Sequence, residues 1–203
     1  MDEFNNDLSS GLEINEENLP SGTTWHKRIF DNCHFDHINM EEYQLIGCQF
    51  HRCNFSHVRF NVAILDRCQF LSCYFNDTDF FSASITDCKM TGSEWEGGRW
   101  TGVTIRSGDW SFVSLRHQDL SGLDLRNVDF READLYGCNL ARTDLRKAHL
   151  TRANLSQSQL VGTDLRGAQT NGIKWSDLSL SGIHIDGIQA IEIAQSFGAK
   201  VDH

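Results

Sequence analysis

From Trp25 to Ile185 every fifth residue is a large apolar one, with a single exception. The series runs Trp25, Phe30, Phe35, Met40, Leu45, Phe50, Phe55, Phe60, Leu65, Phe70, Phe75, Phe80, Ile85 and Met90, then Trp95, Trp100, Ile105, Trp110, Leu115, Leu120, Leu125 and Phe130. It continues through Leu135, Leu140, Leu145, Leu150, Leu155, Leu160 and Leu165, lapses at Thr170, and resumes with Trp175, Leu180 and Ile185. No insertion breaks the phase. A period of five matches neither the 3.6 of a helix nor the 2 of an ordinary strand. It fits a chain that turns a corner every five residues and points the central residue and the one two before it inward.

The position two before each central residue is small or compact, and all seven cysteines fall there: Cys33, Cys48, Cys53, Cys68, Cys73, Cys88 and Cys138. Free cysteine behaves as a small buried hydrophobe, so these thiols are assigned to the core and not to redox or metal chemistry. Trp95, Trp100 and Trp110 follow Ser93, Gly98 and Gly108 at that paired position. The largest side chains thus sit beside the smallest, the trade that close packing demands. Residues 91–112 are therefore expected to form a locally distorted but continuous coil; the functional alternative is an exposed tryptophan contact patch. Coils of this kind stack backbone on backbone, about 4.8 Å apart as between sheet strands. Such a stack excludes proline, which lacks a backbone donor. The chain has one proline, where about 5% of residues would be usual.

The pentads "ADLYG", "CNLAR", "TDLRK", "ANLSQ" and "TDLRG" resemble the pentapeptide-repeat family. That resemblance implies an all-β fold, a right-handed quadrilateral β-helix in which four pentads make a coil and residues twenty apart stack in a column. The run from Trp25 to Ile185 then corresponds to about eight coils without loop insertions, on the order of 40 Å of rod. Three segments follow: an acidic lead-in and cap over 1–24, the β-helix over 25–185, and a tail over 186–203. The lead-in carries six acids, no base and the single proline, Pro20.

In the tail, Ala190, Ile193, Ala194 and Phe197 lie at i, i+3, i+4 and i+7, the stripe of a short helix, and Gly198 is placed to end it. Asp186, Gln189, Ala190, Gly198 and Val201 resemble the C-terminal end of the Qnr and MfpA branch, where a helix and a short hydrophobic strand join two chains about a two-fold axis. The resemblance implies a homodimer whose interface includes Ile188, Ala190, Ile191, Ile193, Ala194, Phe197 and Val201. It also implies a DNA-mimic-like protein that binds DNA gyrase or topoisomerase IV and protects it from quinolones or natural poisons. The unbroken phase is similar to the loopless MfpA type.

A net charge of −10 argues against direct nucleic-acid binding, which needs clustered Lys and Arg. No apolar run approaches membrane-spanning or signal-peptide length, so a cytoplasmic protein without membrane contact is expected. Uniform mimicry of duplex DNA is not supported, because residues 23–187 hold 20 acids and 17 bases, net −3. Duplex of the same length would carry over twenty charges, at about one per 1.7 Å. One face differs. The column built around Phe35, Phe55, Phe75, Trp95, Leu115, Leu135, Leu155 and Trp175 carries Asp36, Asp77, Glu94, Glu96, Asp134 and Asp177 against Arg116 and Lys174, six acids to two bases. This acidic face is the candidate for a basic partner surface. Elsewhere Asp124, Asp144 and Asp164 stack beside Arg106, Arg126, Arg146 and Arg166, a self-neutralising face. His37 and His57 share a column with Asp77, a spacing that permits a metal, although the expectation is a solvated ladder and no metal or cofactor. No phosphate loop, nucleophile elbow or paired catalytic acids occur, so a non-catalytic protein is expected. The alternative to topoisomerase protection is a scaffolding repeat protein with an unrelated partner.

Overall fold

The protein is described from a computed structural model, over residues 8–201. Among the described residues there are nine three-residue strands: β1 (Leu8–Ser10), β2 (Thr24–His26), β3 (Ile29–Asp31), β4 (Gln44–Ile46), β5 (Gln49–His51), β6 (Ile64–Asp66), β7 (Gln69–Leu71), β8 (Ser84–Thr86) and β9 (Thr104–Arg106). They form two parallel sheets, ordered β1-β3-β5-β7 and β2-β4-β6-β8-β9. The register places Trp25 beside Leu45, Leu45 beside Leu65, Leu65 beside Ile85 and Ile85 beside Ile105, each step being one coil. Single bridges extend the stack in four columns, for example His34, Asn54, Tyr74, Glu94, Ser114, Asp134 and Asn154. Four columns five residues apart make a four-sided β-helix.

Regular strands stack five deep, fewer than the roughly eight levels expected from the pentad count. Beyond β9 the coils are joined by isolated bridges such as Asp124 to Asp144 and Asp144 to Asp164. There, turns occupy two residues of each pentad, and only the residue before the central side chain is left to bridge.

The corners explain how a chain can turn so often. Among the described residues, twenty-one non-glycine residues have positive φ, from Lys27 to Gln157, and every one lies two positions after a central residue. The left-handed conformation costs an L-residue about 1–2 kcal/mol. It is held because nineteen of these twenty-one corner N–H groups meet a carbonyl of the next coil, as in His57 N to Asn76 O at 2.8 Å and Asp77 N to Glu96 O at 2.8 Å.

All central residues from Trp25 to Leu165 are buried, as are all seven cysteines. Rings stack between coils: Phe35 on Phe55 at 4.8 Å, Phe55 on Phe75 at 5.2 Å and Phe75 on Trp95 at 4.5 Å between centroids. The paired inward position accepts thiols and hydroxyls because each finds a carbonyl of an earlier coil. Cys138 Sγ donates to Leu115 O at 2.8 Å, Thr78 Oγ1 to Phe55 O at 2.9 Å and Ser93 Oγ to Phe70 O at 2.9 Å. Burial pushes the Cys138 thiol up to about 12 and also raises that of Cys73.

Residues 91–112 stay in the stack, with Asp79 bridged to Arg99, Lys89 to Asp109 and Glu94 to Ser114. The distortion is local to Gly98 and Gly108, whose φ values are 100° and 108°. Trp95, Trp100 and Trp110 are all buried, which removes the reading of this segment as an exposed tryptophan patch. Stacking also begins before Trp25: β1 pairs with β3, Glu13 bridges His34, and Ile14 is buried. These contacts are offset by 21 residues and not 20, so the lead-in packs one residue out of phase and Pro20 falls outside the strands. Residues 1–7 of the lead-in lie outside the described residues, as do residues 202 and 203 of the tail.

Candidate partner-binding face and C-terminal cap

The corner geometry makes each flat side of the rod present three side chains per coil to solvent, so charge on one side accumulates in ladders. On the side around Phe35, Phe55 and Phe75, the structure places Asp36, Asp77, Glu94 and Glu96 exposed, with Asp77 two coils from Asp36 and Glu94 and Glu96 one coil further. Asp134 is on the same side but is half-buried, accepting from Arg116 Nη1 at 2.7 Å, Asn154 Nδ2 at 2.9 Å and the Tyr136 N–H at 3.1 Å. The Arg116 guanidinium lies 4.4 Å over the Tyr136 ring. The acidic field is therefore concentrated between Asp36 and Glu96 and is partly neutralised further on. Asp177 is exposed but leaves the ladder, since Trp175–Asp177 forms a 3-10 turn closed by Asp177 N to Lys174 O at 3.1 Å. Between Tyr74, Asn76, Glu94, Glu96, Ser114, Arg116 and His117 this side carries a shallow groove.

The column that aligns His37, His57 and Asp77 converges differently from its sequence order. His37 Nδ1 lies 2.9 Å and His57 Nδ1 3.0 Å from the same oxygen, Asp36 Oδ1. The two imidazoles stack, with centroids 4.4 Å apart. A hydrogen bond from His57 is the main influence holding the Asp36 carboxyl below the usual carboxylate range. Asp77 stands behind His57, its Oδ2 3.8 Å from His57 Nε2.

The contrasting side behaves as its charge pattern implies. Arg126, Arg146 and Arg166 each reach the aspartate two residues earlier, Asp124, Asp144 and Asp164, with Nη2 to Oδ2 distances of 2.6 Å. Each pair is linked to the next coil by a longer contact, Arg126 to Asp144 and Arg146 to Asp164 at 3.7 Å. Arg166 holds Asp164 down to about 2, and Arg126 and Arg146 lower Asp124 and Asp144.

At the C-terminal end, helix α1 (Gly187–Ser196) is started by a capping box. Asp186 Oδ1 accepts from Ile188 N and Gln189 N, while Gln189 Oε1 accepts from Asp186 N. Asp186 Oδ2 also takes the Gly167 N–H at 2.7 Å, which ties the cap to the coil below. The surface that docks on the last coil is polar. Gln189 is 1% exposed and its Nε2 donates to the carbonyls of Leu165 and Ala168, while Glu192 accepts from Thr170 Oγ1 at 2.6 Å. The one lapse in the apolar series, Thr170, is thus the position where the helix attaches.

The apolar stripe of α1 is split. Ile193 packs against the core, whereas Ala190 is exposed, Ile188 is 72% exposed and Phe197 is 62% exposed. Ile191, Ala194 and Val201 are intermediate. The short strand expected around Val201 is not formed among the described residues: a strand needs an edge to pair with, and the helix end at Gly198, with φ 88°, is followed by chain without a ladder partner. No helix of the described residues is long and apolar enough to cross a membrane.

Sequence comparison agrees with this geometry. A family model for the pentapeptide repeat region matches residues 23–100, and one for pentapeptide repeats matches 111–146 and 131–167. This chain is a pentapeptide-repeat protein. Neither matching model is that of an enzyme. No curated protein matches the pentapeptide-repeat chain in sequence. Among solved structures, a trypsin-treated variant of QnrB1, described as a plasmid-mediated fluoroquinolone resistance protein, is similar with 19% identity and a TM-score of 0.65, covering 96% of this chain and 97% of that one. A second trypsin-treated variant gives 19% identity and a TM-score of 0.59 over 97% and 99% of the two chains. Full-length QnrB1 gives 18% and 0.60 over 95% and 97%. These likenesses show the same β-helix fold over nearly the whole length of both chains.

Two features of the site escape a reading of the sequence. Asp36 joins His37 and His57 because its carboxylate lies between the corner of its own coil and the equivalent corner of the next. Gln189 becomes the anchor of the cap because its buried amide donates to the Leu165 and Ala168 carbonyls at the open end of the stack.

Proposed function

We propose that this protein binds a type II topoisomerase, DNA gyrase or topoisomerase IV, through its acidic face and protects the enzyme from a quinolone-like poison. The supporting observation is the conjunction of a β-helix that matches QnrB1 over nearly the full length of both chains with an exposed acidic face on one side only. Asp36, Asp77, Glu94, Glu96 and Asp134 form the electrostatic contact, and Asp177 lies at its far end. A basic DNA-binding surface meets these ladders side-on, and the rod occupies the position of DNA or displaces drug from a trapped cleavage complex. Such a role needs no catalytic group. Two chains associate through the C-terminal cap, where Ile188, Ala190, Ile191, Ala194, Phe197 and Val201 face a second copy and Ile193 braces the helix from beneath.

The test is a supercoiling assay with gyrase, drug and increasing amounts of this protein. Recovery of supercoiling is expected, and no recovery at any protein concentration would reject the proposal. Charge reversal at Asp77, Glu94, Glu96 and Asp134 together should abolish binding to immobilised gyrase and leave the far-ultraviolet circular dichroism unchanged. Retained binding would point to a scaffold with a different partner. Deletion of residues 187–203 should convert a dimer to monomer or aggregate by light scattering, and an unchanged dimer mass would remove the cap from the interface.

A further inference from the structure

The acidic face contains one constellation that partner binding does not require. Asp36, His37 and His57 each offer one ligand atom, and these three atoms lie within 4.8 Å of one another. Two edges of the triangle are short, 2.9 Å from His37 Nδ1 to Asp36 Oδ1 and 3.0 Å from His57 Nδ1 to the same oxygen. Ligand bonds of about 2.0–2.1 Å in a tetrahedron place neighbouring donors about 3.3 Å apart, so both edges are within a few tenths of an ångström of what a zinc ion imposes. We propose that Asp36, His37 and His57 form a surface site for a divalent transition-metal ion of the zinc type, with water in the remaining position.

The backbone supports the assignment. His37 and His57 occupy equivalent left-handed corners, with φ of 61° and 58°, one coil apart. Both corners are fixed by hydrogen bonds to the next coil, His37 N to Ser56 O at 3.1 Å and His57 N to Asn76 O at 2.8 Å. The two imidazoles therefore start from a set spacing, and little ordering remains to oppose binding. Behind the ligands, Asp77 Oδ2 stands 3.8 Å from His57 Nε2. A ligating histidine characteristically directs its second ring nitrogen to a carboxylate, which fixes the tautomer and raises ligand basicity, and Asp77 is the carboxylate on that side of the ring, a small rotation from hydrogen-bond distance. Two imidazoles and one carboxylate suit zinc, nickel and copper better than calcium or magnesium, which take oxygen ligands. A bound ion would link two successive coils near the N-terminal end of the rod and would reverse the sign of charge at Asp36.

The experiment is calorimetric titration of chelator-stripped, full-length protein with zinc chloride near neutral pH. One ion per chain is expected to bind, with His37→Ala and His57→Ala each weakening the affinity at least tenfold. Asp77→Asn should weaken it by about tenfold or somewhat more, as loss of an outer partner does. His117→Ala, on the same face but outside the cluster, should leave it unchanged. All four side chains project from the surface or rim of the rod, so melting temperatures measured in chelator should match the parent and separate loss of a ligand from loss of fold. Absence of binding at millimolar zinc would overturn the proposal, as would affinity that survives His57→Ala. Because zinc binding is read without a topoisomerase, this outcome is independent of the protection assay.

Discussion

Replacing Gly108 by alanine asks how the core makes room for Trp110. Glycines occur at two kinds of position. Gly122, like Gly92 and Gly137, sits at a coil corner, with φ 71°, in the conformation that Asn127 and His117 adopt with full side chains at 61°. A methyl group at Gly122 would meet nothing within 4 Å. Gly108 occupies the inward position, with φ 108°, and a Cβ there would lie 2.4 Å from Cys88 O and 3.2 Å from Trp110 Nε1. Cys88 O is itself the acceptor of the Asp109 N–H at 3.0 Å, so the clash can be relieved only by displacing a rung of the stack. Gly122→Ala should therefore cost only the left-handed penalty, about 1–2 kcal/mol. Gly108→Ala carries a comparable backbone penalty plus overpacking of about 1–3 kcal/mol. At about 2–4 °C per kcal/mol for a chain of this size, the overpacking alone should make it melt roughly 2–12 °C below Gly122→Ala in thermal unfolding followed by circular dichroism. Equal melting temperatures for the two variants would refute the claim that glycine at this position exists to admit the tryptophan.

Three further outcomes are expected. Gln189→Ala removes the donor to the Leu165 and Ala168 carbonyls and one half of the capping box, leaving buried acceptors short of partners at a cost of about 1–3 kcal/mol. The loss should show as faster amide exchange confined to residues 187–196, and exchange at the parental rate there would contradict the anchoring role. Acid should destabilise the Asp–Arg side, because a carboxylate whose folded pKa is depressed contributes stability above its unfolded value, near ~3.9, and loses it as pH falls through the folded value. For Asp164 that window runs from about 4 down to about 2, and Asp164→Asn should flatten the melting temperature against pH across it. Finally, the seven buried thiols should be silent to Ellman's reagent in the native protein and all react on unfolding, and rapid labelling of any of them in the folded state would contradict their place in the core.

Much of the fold is legible before any coordinates, because the period of five is enforced at every level of the stack. Each central residue contacts the one twenty positions away, so a single misplaced pentad would disturb two neighbours, and the pattern survives only if the whole array obeys it. The burial of Cys33 and Cys138, the neutral pairing of Asp144 with Arg146 and the continuity of residues 91–112 all follow from that phase. The ends are less legible. Glu13 stacks one residue out of register, 21 residues from its partner where the pentads alone predict 20, and the apolar stripe of α1 divides between the core and solvent because the helix is anchored on the coil beneath it by hydrogen bonds.

For the candidate site, phase alone determines which residues share a face, and so Asp36, Asp77, Glu94, Glu96 and Asp134 are readable as one acidic surface. It does not determine which atoms meet. Asp134 is taken up by Arg116, Asp177 leaves the ladder in a turn, and Asp36 rather than Asp77 receives both His37 and His57. The sequence by itself determines the inside of this protein, since a side chain pointing inward has one place to go and its neighbours twenty residues away dictate its size. The tertiary structure alone decides the outside and the ends, where exposed side chains choose among several rotamers and the unpaired last coil selects its cap by the hydrogen bonds it lacks.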